Sequence, residues 1–136
     1  MSEHIGDRLP PPLRFEFGTP SVGDTARALL LITVDDDACA RVALLSPVQV
    51  GSGGERHVNL TVGSGSRTAQ NLRSGRTAVL WCVLDAAAYS IALAPAAGAA
   101  QTQDGQERFD MSVRYVLRDF RPDAPLIAGP TYRALS

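Results

Sequence analysis

The sequence contains no lysine, and all thirteen of its basic residues are arginine. That removes Schiff-base chemistry and a phosphate-binding lysine together, leaving guanidinium, hydroxyl and backbone N–H groups to hold any anion. Two cysteines, Cys39 and Cys82, and two histidines, His4 and His57, are too few for a disulfide framework or a zinc site. Both thiols are expected as small core residues. Excess positive charge is absent too: thirteen basic against fourteen acidic residues give a net charge of -1, which speaks against a nucleic-acid partner. Neither a basic leader nor an apolar signal core is readable at the start, so a cytoplasmic location is expected. The one long weakly polar tract, 77–100, is interrupted by Asp85 and Pro95 and reads as two strands about a turn, not as a membrane span.

What is present is the composition of a globular domain: 136 residues, 45% hydrophobic and 20% charged. A single core is the expectation at this length. Residues 1–27 carry Pro10, Pro11, Pro12 and Pro20 and read as an extended arm without regular structure, laid over one domain formed by 28–136. Within that domain, Ala28 to Val34 is an apolar run stopped by Asp35, Asp36 and Asp37, as for a buried strand entering a solvated turn. The aspartates lack the glycine and distal glutamate of a calcium loop, so no metal site is expected. A second strand is expected from Ala40 to Val50, turning at Gly51–Gly54. A third runs from Arg56 to Val62, with Val58, Leu60 and Val62 on one face.

Gly63 to Ser66 then leads into a short helix, with Ser66 as its N-cap and Gly75 as its left-handed end. Two strands follow, about 77–84 and 88–97, joined at Asp85. The first is apolar on both faces, through Val79, Trp81 and Val83 on one side and Leu80, Cys82 and Leu84 on the other. In a small domain such a strand is most economically covered by a second subunit. Residues 106–120 fit either a helical stripe or strict alternation of Phe109, Met111, Val113, Tyr115 and Leu117. The Asp104-Gly105 turn signal favours a strand. The result is a mainly β domain with one short α-helix.

The strand, Gly63-Ser64-Gly65-Ser66-Arg67, helix arrangement is the one constellation that carries chemistry. Glycines permit close backbone approach, and Ser64, Ser66, Thr68 and Arg67 offer donors to a phosphate. The same residues also make an ordinary well-capped helix, and both readings stand on chemistry alone. A dinucleotide fingerprint through Gly63, Gly65 and Asp85 fails, because Thr68 replaces the third small residue and hairpins flank the single β-α-β unit. No residue stands out as a catalytic acid or base.

The run from Asn59 to Leu72, followed by Arg76 to Leu80, resembles the pyridoxamine 5'-phosphate oxidase-like family of FMN-binding split barrels. Thr61, Ser66, Arg67, Ala69 and Leu72 match that family's strand-to-helix pattern, and Arg41 to Ser46 is similar to its arginine-led strand. Thr68 and Ser46 stand where the pattern has lysines, and the stretch from Arg108 to Leu135 lacks the Arg-x-His signature of the true oxidases. The resemblance implies a six-stranded antiparallel split barrel with its helix between the third and fourth strands. It also implies a homodimer with FMN at the subunit interface, and hydride or electron transfer to an unknown small-molecule substrate through the flavin. By that resemblance Arg41, Ser66, Arg67 and Thr68 hold the phosphate, with Ser64 beside them, and Thr61 and Val62 line the ring. Deazaflavin or haem are the variant cofactors. A non-catalytic flavin binder and a cofactor-free structural dimer are the alternative functions.

Overall fold

The computed structural model describes residues 1–18, 25–96 and 101–133. In chain order it forms β1 (Ser2–Gly6), α1 (Pro11–Glu16), β2 (Thr25–Arg27), β3 (Leu29–Val34), β4 (Ala40–Leu45), a 3-10 turn (Pro47–Gln49), β5 (Val50–Ser52) and β6 (His57–Gly63). It continues with α2 (Arg67–Arg73), β7 (Ala78–Leu84), β8 (Ala87–Pro95), β9 (Gln101–Gln103), β10 (Gln106–Asp119) and β11 (Thr131–Arg133). One curled antiparallel sheet carries nine of these strands in the order β4-β3-β7-β8-β10-β6-β5, with β1 and β9 also paired to β10; β2 and β11 pair separately. The mainly β split barrel is therefore present, with more strands than the six expected. Its edge strands, β4 and β5, are consecutive in sequence and are bridged by the 3-10 turn, where Pro47 breaks the single strand expected over 40–50.

Period-two alternation explains the core. Leu29 and Leu31 of β3, Leu80 and Cys82 of β7, Ile91 and Leu93 of β8, and Val58, Leu60 and Val62 of β6 all point inward and are buried. Residues 106–119 form a strand, and the Asp104-Gly105 turn before it has both residues at positive φ, +52° and +76°, the geometry of a tight hairpin. Alternation in β10 is not continuous, however. The register shifts between Val113 and Tyr115, so that Val116 becomes fully buried while Tyr115 is exposed. One bulged residue reverses the facing of everything after it.

The N-terminal segment carries regular structure where an extended arm was expected. Ser2–Gly6 pairs with the end of β10, and Pro11 starts a helix because a proline at the first helical position gives up no hydrogen bond. Leu9, Leu13 and Phe17 enter the core, which stabilises by about 1.5–3 kcal/mol for a fully buried leucine. The helix sits at the barrel end near the 3-10 turn and the start of β6, where Leu9 N donates to Glu55 O (2.7 Å) and Gly18 N to Pro47 O (2.7 Å). The other end, at Gly63 and Thr33, is covered by α2.

The C-terminal segment crosses the outside of β3 and β7. Ala28 N donates to Pro130 O at 2.9 Å and Leu126 N to Ala86 O at 3.3 Å. Only a glycine fits at position 129, since a Cβ there would lie 2.7 Å from Val83 Cβ. Further along the same outer face the side chains are half-buried on β3 and β7 and exposed on β4. Leu30 pairs with Leu44 and Trp81, and Ile32 with Val42 and Val79, giving two adjacent apolar rows in which Val42 is 58% and Leu44 66% exposed.

Candidate functional site

The β3–β4 hairpin turns through the three aspartates. Asp35 N donates to Cys39 O (2.8 Å) and Ala38 N to Asp35 O (2.9 Å), with Ala38 in the left-handed region at φ +68°. A solvated turn was expected for all three, yet Asp35 is 9% exposed. Thr33 and Arg41 are cross-strand partners on one face of the sheet at the barrel end that α2 covers, Thr33 buried and Arg41 exposed. Asn71 of α2, itself buried, donates one amide hydrogen to Thr33 Oγ1 (3.0 Å) and the other to Asp35 Oδ1 (2.8 Å). Arg41 Nε donates to both carboxylate oxygens of Asp35, at 3.1 and 3.3 Å. The Asn71 hydrogen bond, then the Arg41 hydrogen bond, hold the Asp35 carboxyl below its ordinary value. The charges of Arg41 and Arg67 act in the same direction, and burial opposes them. Arg76 closes the outside of the turn through Val34 O and Asp36 Oδ1, both at 2.9 Å.

The serine loop is bound to itself. Ser66 Oγ accepts from Ala69 N (3.0 Å) as the expected N-cap and gives its own proton to Gly63 O (2.7 Å). Ser64 Oγ gives its proton to Gly105 O at 3.1 Å. Neither hydroxyl retains a hydrogen for a ligand in this arrangement. A brace fixes the loop from below: Arg73 donates through Nε to both oxygens of Glu107 (3.1 and 3.2 Å) and through Nη2 to Ser64 O. Glu107 is 5% exposed.

Arg41 of β4 is held on Asp35, and Arg67 opens α2 between its Ser66 cap and Thr68, where its charge acts on Asp35 without a hydrogen bond or ion pair to it. Thr68 and Val62 have buried side chains, 6% and 4% exposed, and offer a ligand their backbone only. Thr61 lies on the outer face of β6, in a polar cleft of about 340 Å³ with Gln101, Gln103, Asp104, Gln106 and Arg108. Ser64 stands at the loop, tied to Gly105. Asp35, Asn71, Arg76 and the Arg73–Glu107 brace were missed in the sequence. A signal for Glu107 existed: it is in phase with the inward Phe109 and Met111.

Other residues are less eventful. Cys82 is buried, and burial is the main force pushing its thiol up to about 12, with Arg27 opposing and Glu16 assisting. Cys39 is exposed at the hairpin turn, contrary to the core position expected of it, because the turn carries it out of the sheet. His57 is exposed at the start of β6. Among the described residues there is no metal-binding cluster and no helix long and apolar enough to cross a membrane.

No protein-family model matches the chain, and no curated protein matches it. Its fold matches solved structures across most of its length. An F420 reductase is 8% identical over 79% of this chain and 98% of its own, with a TM-score of 0.58. A Lactobacillus delbrueckii protein provisionally described as a pyridoxamine 5'-phosphate oxidase is 12% identical over 81% and 93%, with a TM-score of 0.59. The styrene monooxygenase flavin reductase of Pseudomonas putida S12 is 10% identical over 82% and 92%, with a TM-score of 0.53. At these identities the likeness establishes architecture: the chain has the split-barrel fold of pyridoxamine 5'-phosphate oxidase-like and flavin reductase structures, in agreement with the resemblance read from residues 59–80.

Proposed function

We propose that this chain is a flavin-binding member of the pyridoxamine 5'-phosphate oxidase-like family. It binds FMN at the seam of a homodimer and serves as an oxidoreductase through that cofactor. The observation that carries this reading is the fold, shared with flavin-handling proteins, in which Arg41 is anchored at the barrel end that α2 covers and Arg67 opens that helix. The residues present fit the group. Arg41 spends only Nε on Asp35, so its two terminal nitrogens make no hydrogen bond among the described residues. No carboxylate among the described residues lies within ion-pair distance of Arg67. These two guanidiniums hold the phosphate, Ser66 and Ser64 shape the loop, and the backbone at Thr61, Val62 and Thr68 borders the remainder of the ligand. FMN, when bound, supplies hydride or electron transfer. The chain itself orients the cofactor and excludes water; no side chain at the site is placed as a proton donor.

The homodimer uses the rows Leu30, Ile32, Val42, Leu44, Val79 and Trp81. The described part of the C-terminal segment covers the neighbouring part of this face and not these rows, and an exposed apolar face of this kind marks an interface. The test is the visible spectrum of the isolated protein and of the protein after FMN addition, with thermal unfolding alongside. A flavin band is expected, with stabilisation of about 2.7 kcal/mol at a hundredfold excess over Kd. The spectrum also separates a deazaflavin or haem from FMN. Arg67→Ala is expected to weaken FMN by about 1.5–3 kcal/mol and to leave riboflavin unaffected. Leu44→Asp is expected to give a monomer by sedimentation together with loss of flavin. A colourless protein that FMN does not stabilise overturns the reading.

A further inference from the structure

Strand register assembles a polar grid on the outer face of β9, β10 and β6. Gln103, Gln106 and Gly63 are cross-strand partners in one row, Gln101, Arg108 and Thr61 in the next, and Asp110 and Asn59 in a third. Cross-strand partners share a face, and Glu107 and Phe109, which alternate with them along β10, are buried on the other. Gly63 adds no side chain to its row, and the space beside it is open. Over the first two rows lies the cleft of about 340 Å³, lined by polar side chains alone among the described residues. Three of the chain's five glutamines stand here. The carboxamides of Gln49 and Asn71 are spent on partners within the fold, whereas those of Gln101, Gln103 and Gln106 make no hydrogen bond among the described residues.

Arg108 is held by its neighbours. Its Nη2 donates to the Asn59 carboxamide oxygen at 2.8 Å, with the Asn59 nitrogen turned to Asp110, and its Nε faces Asp110 Oδ1 at 3.7 Å. With Asp104 at the hairpin tip, the cleft sets one guanidinium against two carboxylates, a balance that turns away an anionic group. Without an apolar wall it suits the polar edge of a ring and not the ring's face. A carboxamide presents an acceptor beside two donors, the complement of a cyclic imide, whose C=O, N–H and C=O stand in one line. We propose that this cleft is a binding site for an uncharged cyclic imide, read by Gln101, Gln103, Gln106 and Arg108, and that the imide is the uracil-like edge of the flavin ring. The proposal rests on the flavin reading above and deepens it: Arg41 and Arg67 take the phosphate, and the glutamines take the other end of the ligand. Thr61, assigned above to the border of the ligand, belongs to both. Ser64 N and Oγ each donate to Gly105 O, which fastens the glutamine hairpin to the loop that opens α2. A 5-deazaflavin carries the same imide edge.

The experiment compares riboflavin with 3-methylriboflavin, whose imide N–H is blocked, by flavin fluorescence, for the unaltered protein and for the double variant Gln103→Ala, Gln106→Ala. Neither flavin has a phosphate, so the comparison reads the ring alone. The unaltered protein is expected to bind the methylated flavin about tenfold more weakly. The double variant is expected to bind the two alike, with thermal unfolding unchanged because both side chains are exposed. Arg67→Ala is expected to weaken FMN and to keep the preference for riboflavin over its methylated form. Equal binding of the two flavins by the unaltered protein, or a preference that survives in the double variant, overturns the proposal and leaves the flavin reading standing. If the double variant does not fold, Gln101→Ala carries the same comparison. 5-Deazariboflavin and its 3-methyl form, run alongside, show which ring is taken, and the same imide preference in either ring sustains the cleft's role. If no flavin binds, the flavin reading falls, and uridine against 3-methyluridine, followed through the backbone amide resonances of Gln103 and Gln106, tests the cleft separately. Saturable shifts with uridine alone sustain it; no shifts, or equal shifts with both, overturn it.

Discussion

The two ends of the barrel are each closed by one short helix, and by opposite means. At the α1 end the seal is Leu13, flanked by Leu9 and Phe17, all packed into the core. At the α2 end Leu72 and Ala69 reach the core, but the rim is Thr33, Asn71, Asp35 and Arg41, joined by hydrogen bonds of 2.8–3.3 Å. An apolar plug asks only for volume and tolerates exchange of one hydrophobe for another. A polar rim asks that every donor meet an acceptor, because a buried group left unpaired is costly. The second design is the more demanding one, and it fixes the exposed Arg41 guanidinium at the rim.

Substitutions at the two ends sharpen that contrast. The largest effect is expected from Leu13→Ala, which removes the plug and costs about 2–5 kcal/mol in urea unfolding while leaving the FMN affinity of the folded fraction unchanged. Asn71→Ala is expected to cost less, about 1–3 kcal/mol, and to weaken FMN as well, since Asp35 and hence Arg41 lose their fixed position. Equal flavin affinity in both variants would break the distinction between the ends. Smaller still is the acid response. The Asp35 carboxyl titrates below its ordinary value in the folded chain. Its stabilisation is therefore present above the ordinary value of about 3.9 and is lost as pH falls through the lowered one. Unfolding followed from pH 5 down to pH 2 is expected to show a shallower loss of stability in Asp35→Asn than in the unaltered chain. The smallest effect is chemical: at pH 8 a thiol reagent is expected to label Cys39 promptly and to spare Cys82, whose thiol is buried with a pKa near 12. Leu13→Ala is expected to speed labelling of Cys82 and Asn71→Ala to change it little.

Much of the frame was readable residue by residue. The Ala28–Val34 run, the Ser66 cap, Gly75 and the Asp104-Gly105 turn each act through local sterics or local hydrogen bonds, and local causes are visible in local sequence. The α1 helix was missed because three consecutive prolines suggest an extended arm, although Pro11 stands where a proline best starts a helix. The inward turn of Asp35 was illegible for a different reason. Three adjacent aspartates look alike in sequence, and only Asn71, thirty-six positions later, selects which of them is buried. The serine hydroxyls show the converse: they were read as free donors, and the fold spends them on Gly63 and Gly105.

The strand β10 has a bearing on how the chain reaches its native state. Without it, β4, β3, β7 and β8 can pair among themselves, and β5 can pair with β6, but among the described residues no strand pairing joins the two groups. Only β10 spans them, and it also receives β1, whose Ser2 lies opposite Asp119. During synthesis the ribosome delivers that weld after every strand it pairs with. Assembly depends on contacts distant in sequence, which slows folding. Meanwhile the waiting flanks of β8 and β6 are open to pairing with other chains. A rapid chaperone hand-over, or a low expression temperature, is the practical remedy this topology recommends.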